Sequence, residues 1–267
     1  MVSSALLYLR LIAYSVRAQF AYRLSFSALA VGGFVSTGAE FVAIYFLFRR
    51  FHQVGGWNVH EVAVLYGVVS LSMALPDLTS FGFEQCGTLV RKGDFDRLLL
   101  RPRSTALQLA GREFALRRLG RVAQAALVLG YGLRSRPAPL AVTDLALLAW
   151  AISGGVAVFL GLFVIEAAIS FWTLQPLEVM AILIFGGVET SVYPMQIYGR
   201  WLRRLFLGFV PIATVSYFPV LAVLHKADPL GLPDSLRVLS PLAGGLFLAF
   251  SAFIWHLGVR RYASTGS

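Results

Sequence analysis

Residues 145–165 run for 21 positions without a charged side chain, which is about the length an α-helix needs to cross a hydrocarbon core roughly 30 Å thick. Residues 238–259 repeat the feature, and residues 24–48 do so with Glu40 as the single interruption. A chain of 267 residues cannot bury several such runs in a water-facing fold. Its charged fraction of 13% is about half that of soluble domains, and its mean hydropathy is +0.73. In hydrocarbon only helices and closed barrels satisfy their own backbones. Barrel strands alternate with period two, and these runs do not. The expected fold is therefore all-α and polytopic.

Six transmembrane helices can be laid along the chain. Residues 1–23 come first, with Arg10 and Arg17 seven positions apart on one helical face. That spacing suits an interfacial helix with its arginines among headgroups. Spans one and two occupy residues 24–48 and 59–78, the second closing on Pro76 and Asp77. A basic, hydrophilic stretch follows at 83–121. The third span has an uncharged run of only about a dozen residues, 122–133, so Arg117, Arg118, Arg121 and Arg134 must snorkel or face a polar bundle interior. Spans four, five and six are 145–165, 177–192 and 238–259. Between the last two, residues 205–224 are uncharged but carry Pro211 and Pro219. Hydropathy reads them as a seventh span, whereas two helix-breaking prolines fit a re-entrant hairpin.

The positive charges bear on that choice. The net charge is +10, and most of it flanks apolar runs, as expected from anionic lipid and the positive-inside rule. With six spans and both termini cytoplasmic, fourteen of the 23 Lys and Arg residues fall inside. A seventh span would move Arg260 and Arg261 outside and weaken the bias. A single cysteine, Cys86, excludes an internal disulfide.

Catalytic signatures are missing. No phosphate loop of the G-x-x-x-x-G-K-[ST] type occurs, since Arg91-Lys92-Gly93 lacks both the glycine cradle and the hydroxyl. Neither a zinc-protease motif nor a nucleophile elbow is present, and His52, His60, His225 and His256 are scattered. No catalytic, cofactor-binding or metal site is expected in the chain. The sharpest local features are carboxylates at membrane depth: Glu40, Glu166 and Glu189. Ionisable groups are costly there and usually face an interior, a cavity or a partner. They are read either as a polar substrate path or as residues paired with Arg117, Arg121 or backbone groups, with an interfacial position as a further reading for Glu166 and Glu189.

The stretch Gly87-Thr88-Leu89-Val90-Arg91-Lys92-Gly93-Asp94-Phe95-Asp96-Arg97-Leu98-Leu99-Leu100-Arg101-Pro102 joins a short amphipathic helix, a glycine turn and a proline stop. It can dock a Phe95 and Leu98 face into another protein, or lie as an amphipathic loop on the membrane. With Val192-Tyr193-Pro194, Tyr198-x-x-Trp201-Leu202 and Val210-Pro211-Ile212-Ala213 after the fifth span, the chain resembles ABC-2 type transporter permeases. More narrowly it is similar to the compact ABC-2 family transporter proteins, over essentially its whole length.

That resemblance implies the membrane subunit of an ABC exporter in the cell inner (plasma) membrane. It would form one ABC-2 type transmembrane domain, residues 1–267, working with a second permease, identical or homologous, and two separate ATPase subunits that supply ATP and Mg. The domain divides into an interfacial helix (1–23), spans one and two (24–82), a cytoplasmic coupling region (83–112), spans three to five (113–192), a re-entrant region (193–237) and span six (238–259). ATPase coupling would fall to Leu89, Arg91, Lys92, Asp94, Phe95, Asp96 and Leu98. Glu40, Glu166, Glu189, Tyr193 and Pro194 are the substrate-path candidates. Drug-like, lipidic or glycan compounds are the implied cargo, and no nucleic acid is expected as a partner. The rival reading is a proton-coupled secondary transporter that uses Glu40, Glu166 and Glu189 as a relay, though no inverted repeat is visible in the sequence.

Overall fold

A computed structural model describes residues 4–21, 23–135, 139–173 and 178–262, and among these the protein is helical with no β-strand. Helix α1 (Ser4–Phe20) is followed by α2 (Arg23–Phe51) and α3 (Val59–Thr79). Three short helices, α4 (Cys86–Arg91), α5 (Asp96–Leu99) and α6 (Thr105–Ala110), precede α7 (Leu119–Arg134) and α8 (Val142–Ile169). Then come α9 (Glu178–Ser191), α10 (Arg200–Arg204), α11 (Ile212–Val223), α12 (Asp234–Leu239) and α13 (Leu242–Arg261).

Four helices, α2, α3, α8 and α13, are long and apolar enough to cross a membrane. The segments 200–209 and 212–223 make a fifth candidate if taken as one span, but they meet at a bend of 93°. The helices at the expected third and fifth spans are shorter, with 16 residues in α7 and 14 in α9. Helix α7 runs through Arg121 and continues a 3-10 turn at Leu116–Arg118, so its arginines shorten the apolar stretch but not the helix.

Local chemistry sets several boundaries. The Asn58 side chain accepts from the His60 and Glu61 amides at 2.9 and 3.0 Å, while Glu61 accepts from the Asn58 amide at 2.9 Å. This reciprocal cap starts α3 where the apolar run begins. The expected sixth span is divided, with α12 ending at Leu239 and α13 starting after Pro241. The two prolines of 205–224 behave differently from each other. The break falls at Pro211, ahead of α11, whereas Pro219 sits buried inside that helix. Pro219 forgoes one backbone bond, and tight packing on every side of α11 compensates for it.

Helix direction follows from glycine contacts. Gly154 abuts Gly244, Gly161 abuts Ser251 and Gly258 abuts Ala168, so α8 and α13 run parallel. Gly67 against Leu129 and Gly132 against Val64 make α3 and α7 antiparallel. Gly120 lies on Ala30 and Gly38 faces Gln124, which makes α2 parallel to α7. Ser72 Oγ lies 3.4 Å from the Ile152 carbonyl, and the segments that follow α3 and α8 meet at the same end of the bundle. Thus α3, α8 and α13 point one way, and α2 and α7 the other. One end, here called the basic end, carries residues 84–118, Arg260 and Arg261.

At the far end, the loop between α2 and α3 is a fixed point. Trp57 is buried and stacks on Tyr217 with ring centroids 5.7 Å apart. Gln196, ahead of the bent segment, donates to the Gly55 carbonyl. Lys226, after it, donates to the Gly56 carbonyl at 2.9 Å and to Glu61 at 2.8 Å. The bent segment therefore starts and finishes against one loop, and α9, which leads to Gln196, runs with α2 and α7.

Between helices in lipid, close backbone approach replaces the hydrophobic drive of a water-soluble core. A Cβ at Gly67 would stand 2.6 Å from Leu129 Cβ, and one at Gly132 2.7 Å from the His60 carbonyl oxygen, whereas Gly130 has open space. Overpacking of this kind costs roughly 1–3 kcal/mol. Gly67→Ala and Gly132→Ala are expected to lower the melting temperature in detergent by several degrees, with Gly130→Ala unchanged or slightly more stable. Equal melting of all three would refute the close-packed α3–α7 seam.

Candidate functional site

Two features stand out, a polar cavity in the flank of the bundle and a folded platform at its basic end. They meet at Asp77. Its side chain is only 5% exposed and receives Arg118 at 3.0 Å and Arg121 at 3.3 Å. Arg118 also reaches Glu84 at 3.7 Å, Arg117 pairs with Glu113 at 2.8 Å, and the Arg117 guanidinium lies 4.4 Å above the Phe81 ring. The arginines around the start of α7 thus face acids of the protein. Removing one member of a buried ion cluster typically costs about 3–5 kcal/mol, because the remaining charges are left uncompensated.

The cavity holds about 120 Å³ and is lined by Glu40, Asp77, Arg121, Gln124 and Glu189, with Tyr66 and Ser70 behind them. Glu40 from α2 and Glu189 from α9, far apart in sequence, share it. Both are exposed on the flank of the single chain. The Gln124 amide is buried beside Tyr66, and neither its nitrogen nor its oxygen completes a hydrogen bond of good geometry. Glu166 is not part of this group: it is half-buried near the end of α8, facing Glu84. Tyr193 packs half-buried on the main core, where burial and then the Glu189 charge raise its phenol above the ordinary value. Pro194 is buried and leads into a 3-10 turn at Met195–Ile197.

The basic end corrects one expectation. Phe95 is fully buried and Leu98 is 6% exposed, both inside this chain. Phe95 makes edge contacts with Phe171 at 4.9 Å, Tyr262 at 5.0 Å and Trp255 at 6.4 Å. Leu89 and Val90 join the same cluster with Val164, Ala167 and Ala168 of α8. The apolar face read as a surface for another protein is already occupied by the inner faces of α8 and α13. What points outward is Thr88, Arg91, Lys92, Arg97, Leu99 and Leu100, with Leu100 85% exposed. Asp94 and Asp96 are half-buried, and Asp94 pairs with Arg97 at 3.5 Å. Gly93 turns the chain between α4 and α5 at φ 70°, a left-handed conformation that favours glycine.

Cys86 lies in the same cluster, its sulfur 3.7 Å from the Ser170 hydroxyl. Burial pushes its thiol up to about 11. The thiolate is the reactive form, so at pH 8 only about one molecule in a thousand is poised to react even before access is counted. A maleimide is expected to leave Cys86 unlabelled in the folded protein at pH 8 and to label it fully in denaturant. Rapid labelling without denaturant would show that the platform is not packed on α8.

The family model of ABC-2 family transporter proteins matches residues 34–266. The chain belongs to that family. It is a multi-pass membrane permease component of an ABC exporter, from a family that typically works with ATPase partners and is not itself enzymatic. The match begins within α2, so α1 lies outside it. No curated protein and no solved structure matches the chain. The pairing of Asp77 with Arg118 carries no local signal in the sequence, where Asp77 is just an acid closing an apolar run. Its partner Arg121 stands 44 positions away, and only the antiparallel α3–α7 packing joins them.

Proposed function

We propose that this chain is a six-span half-transporter. It would form a translocation path with a second permease and be driven by two separate ATPase subunits that bind ATP and Mg. The observation that carries the reading is the pair Glu40 and Glu189, exposed together on the bundle flank at a level where lipid is a poor neighbour for carboxylates. A second permease closing over this flank would turn the cavity into part of a shared polar path, with Tyr193 and Pro194 at its far end. Glu166 stays outside it.

Six crossings are supported by helix direction: α2, α7 and α9 run against α3, α8 and α13. The contacts of Gln196 and Lys226 with one loop favour a re-entrant hairpin over a seventh crossing. The basic end would then be cytoplasmic, as would both termini, in the cell inner membrane. Residues 1–267 would form one ABC-2 type transmembrane domain, with residues 83–112 as its coupling region and 193–237 as its extracytoplasmic part. Drug-like, lipidic or glycan cargo suits such a path.

The coupling surface would be the outward side of the platform, with Arg91, Lys92, Arg97 and Leu100 touching the ATPase. Leu89, Phe95 and Leu98 carry its motion into α8 and α13, and Asp94 and Asp96 shape the turn between the short helices. Nucleotide-driven closure of the partner dimer would bias the permease pair between two arrangements. Leu100→Asp with Arg97→Glu is expected to give a monodisperse permease that no longer co-purifies with its ATPase subunit. Phe95→Asp, in contrast, should reduce the yield of folded permease itself. Retention of the ATPase by the outward double variant would overturn the assignment of this surface.

The cavity has its own test. Glu40→Gln should change the range of exported compounds, cationic ones most, while the assembled complex still forms on size-exclusion chromatography. Identical export of cationic and neutral compounds by wild type and variant would reduce Glu40 to a structural residue.

A further inference from the structure

A second cavity, of about 1040 Å³, opens at the basic end on the other side of the platform. Its inner part is apolar, walled by Leu160 and Val164 of α8 and by Leu248 and Ala252 of α13. Arg103 and Ser104 from the platform and His256 and Arg260 from the last turns of α13 also line it, and all four are at least partly exposed. Among the described residues no carboxylate lines it. The lining residues of α13 extend from Leu248 to Arg260, about 18 Å along a helix. That is close to half of a hydrocarbon core roughly 30 Å thick, so the cavity runs from the membrane surface to about the depth of one leaflet.

A ligand that fits must be apolar over that depth and anionic at the surface. Two partly exposed guanidiniums lining one cavity suit a phosphate, which accepts forked hydrogen bonds from arginine. We propose that this cavity is a binding site for one anionic phospholipid. Its phosphate lies on Arg103 and Arg260, and its acyl chains lie along Leu160, Val164, Leu248 and Ala252. The lipid bridges the platform and α13, two parts that otherwise meet through the aromatic cluster around Phe95 and Trp255. The proposal rests on the membrane reading of the bundle and not on its being an exporter.

The test uses the full chain in detergent, without ATPase subunits or a transport assay, so its failure is separate from failure of the exporter reading. Native mass spectrometry would follow retention of dioleoylphosphatidylglycerol and dioleoylphosphatidylcholine. The expected result is one tightly retained phosphatidylglycerol with at least about tenfold preference over phosphatidylcholine. Arg103→Gln with Arg260→Gln should abolish the preference, and Ala252→Trp should reduce retention of both lipids. Equal retention of the two lipids by the wild type, or a preference that survives loss of both arginines, would overturn the site.

Trp255, which also lines the cavity, gives a readout that does not depend on the arginine variants folding. Brominated phosphatidylglycerol in mixed micelles should quench tryptophan fluorescence more in the wild type than in Trp255→Phe. Equal quenching would exclude acyl chains from the cavity.

Discussion

Helices surrounded by lipid gain little by burying apolar side chains against one another, because the lipid is as apolar as the partner. The bundle is held instead by places where a missing side chain lets two backbones meet. Gly154 and Gly244, Gly161 and Ser251, and Gly258 and Ala168 form one seam at nearly constant offset, which keeps α8 and α13 parallel along most of their length. Gly67 and Gly132 form the seam of α3 with α7. Everything at the two ends depends on this alignment. It brings the end of α3 to the start of α7, where Asp77 finds two arginines, and it brings the ends of α8 and α13 together to receive the platform.

The platform is thereby part of the bundle and not a loop resting on it. Phe95, Leu98, Leu89 and Val90 are buried among side chains of α8 and α13, and the Asp77 cluster ties α3 to α7 beside them. The outward residues thus sit on a platform packed against α8 and α13, with the ion cluster of α3 and α7 beside it. Of the two that contribute the flank carboxylates, α2 is the more lipid-facing: only 11% of its apolar window is buried, although it meets α7 closely where Gly120 lies on Ala30.

Much of this was legible from residue patterns, and the remainder failed for identifiable reasons. Long uncharged runs locate α2, α3, α8 and α13 to within a few residues because a membrane span needs length and apolarity, and both can be counted. Helices α7 and α9 are harder, since short runs beside arginines or proline satisfy no length rule. The prolines of 205–224 have the same local signal, but Pro211 breaks the helix and Pro219 does not, a difference set by tertiary packing. The amphipathic segment at 87–102 shows that Phe95 and Leu98 share an apolar face. It does not show whose surface covers that face, and the covering surface comes from residues 164–171 and 255–262 of the same chain. Glu40 and Glu189 each stand out in the sequence by their membrane depth, but only the fold brings them into one cavity.

The position of Glu40 limits how the flank can be covered. Leu29, Val31, Val35, Val42 and Phe46 of α2 are all exposed in the single chain, on several sides of the helix, with Glu40 among them. A carboxylate near the middle of a lipid-facing helix costs a few kcal/mol, and a dry interface with a second protein would leave it no better solvated. Both penalties disappear if the covering surface holds water or polar groups opposite Glu40 and Glu189 while sealing the apolar residues around them. If the second permease is an identical copy, twofold symmetry sets each flank against its twin. The acids then line both walls of one aqueous seam, where like charges stay apart only if the seam is wide enough to hydrate them.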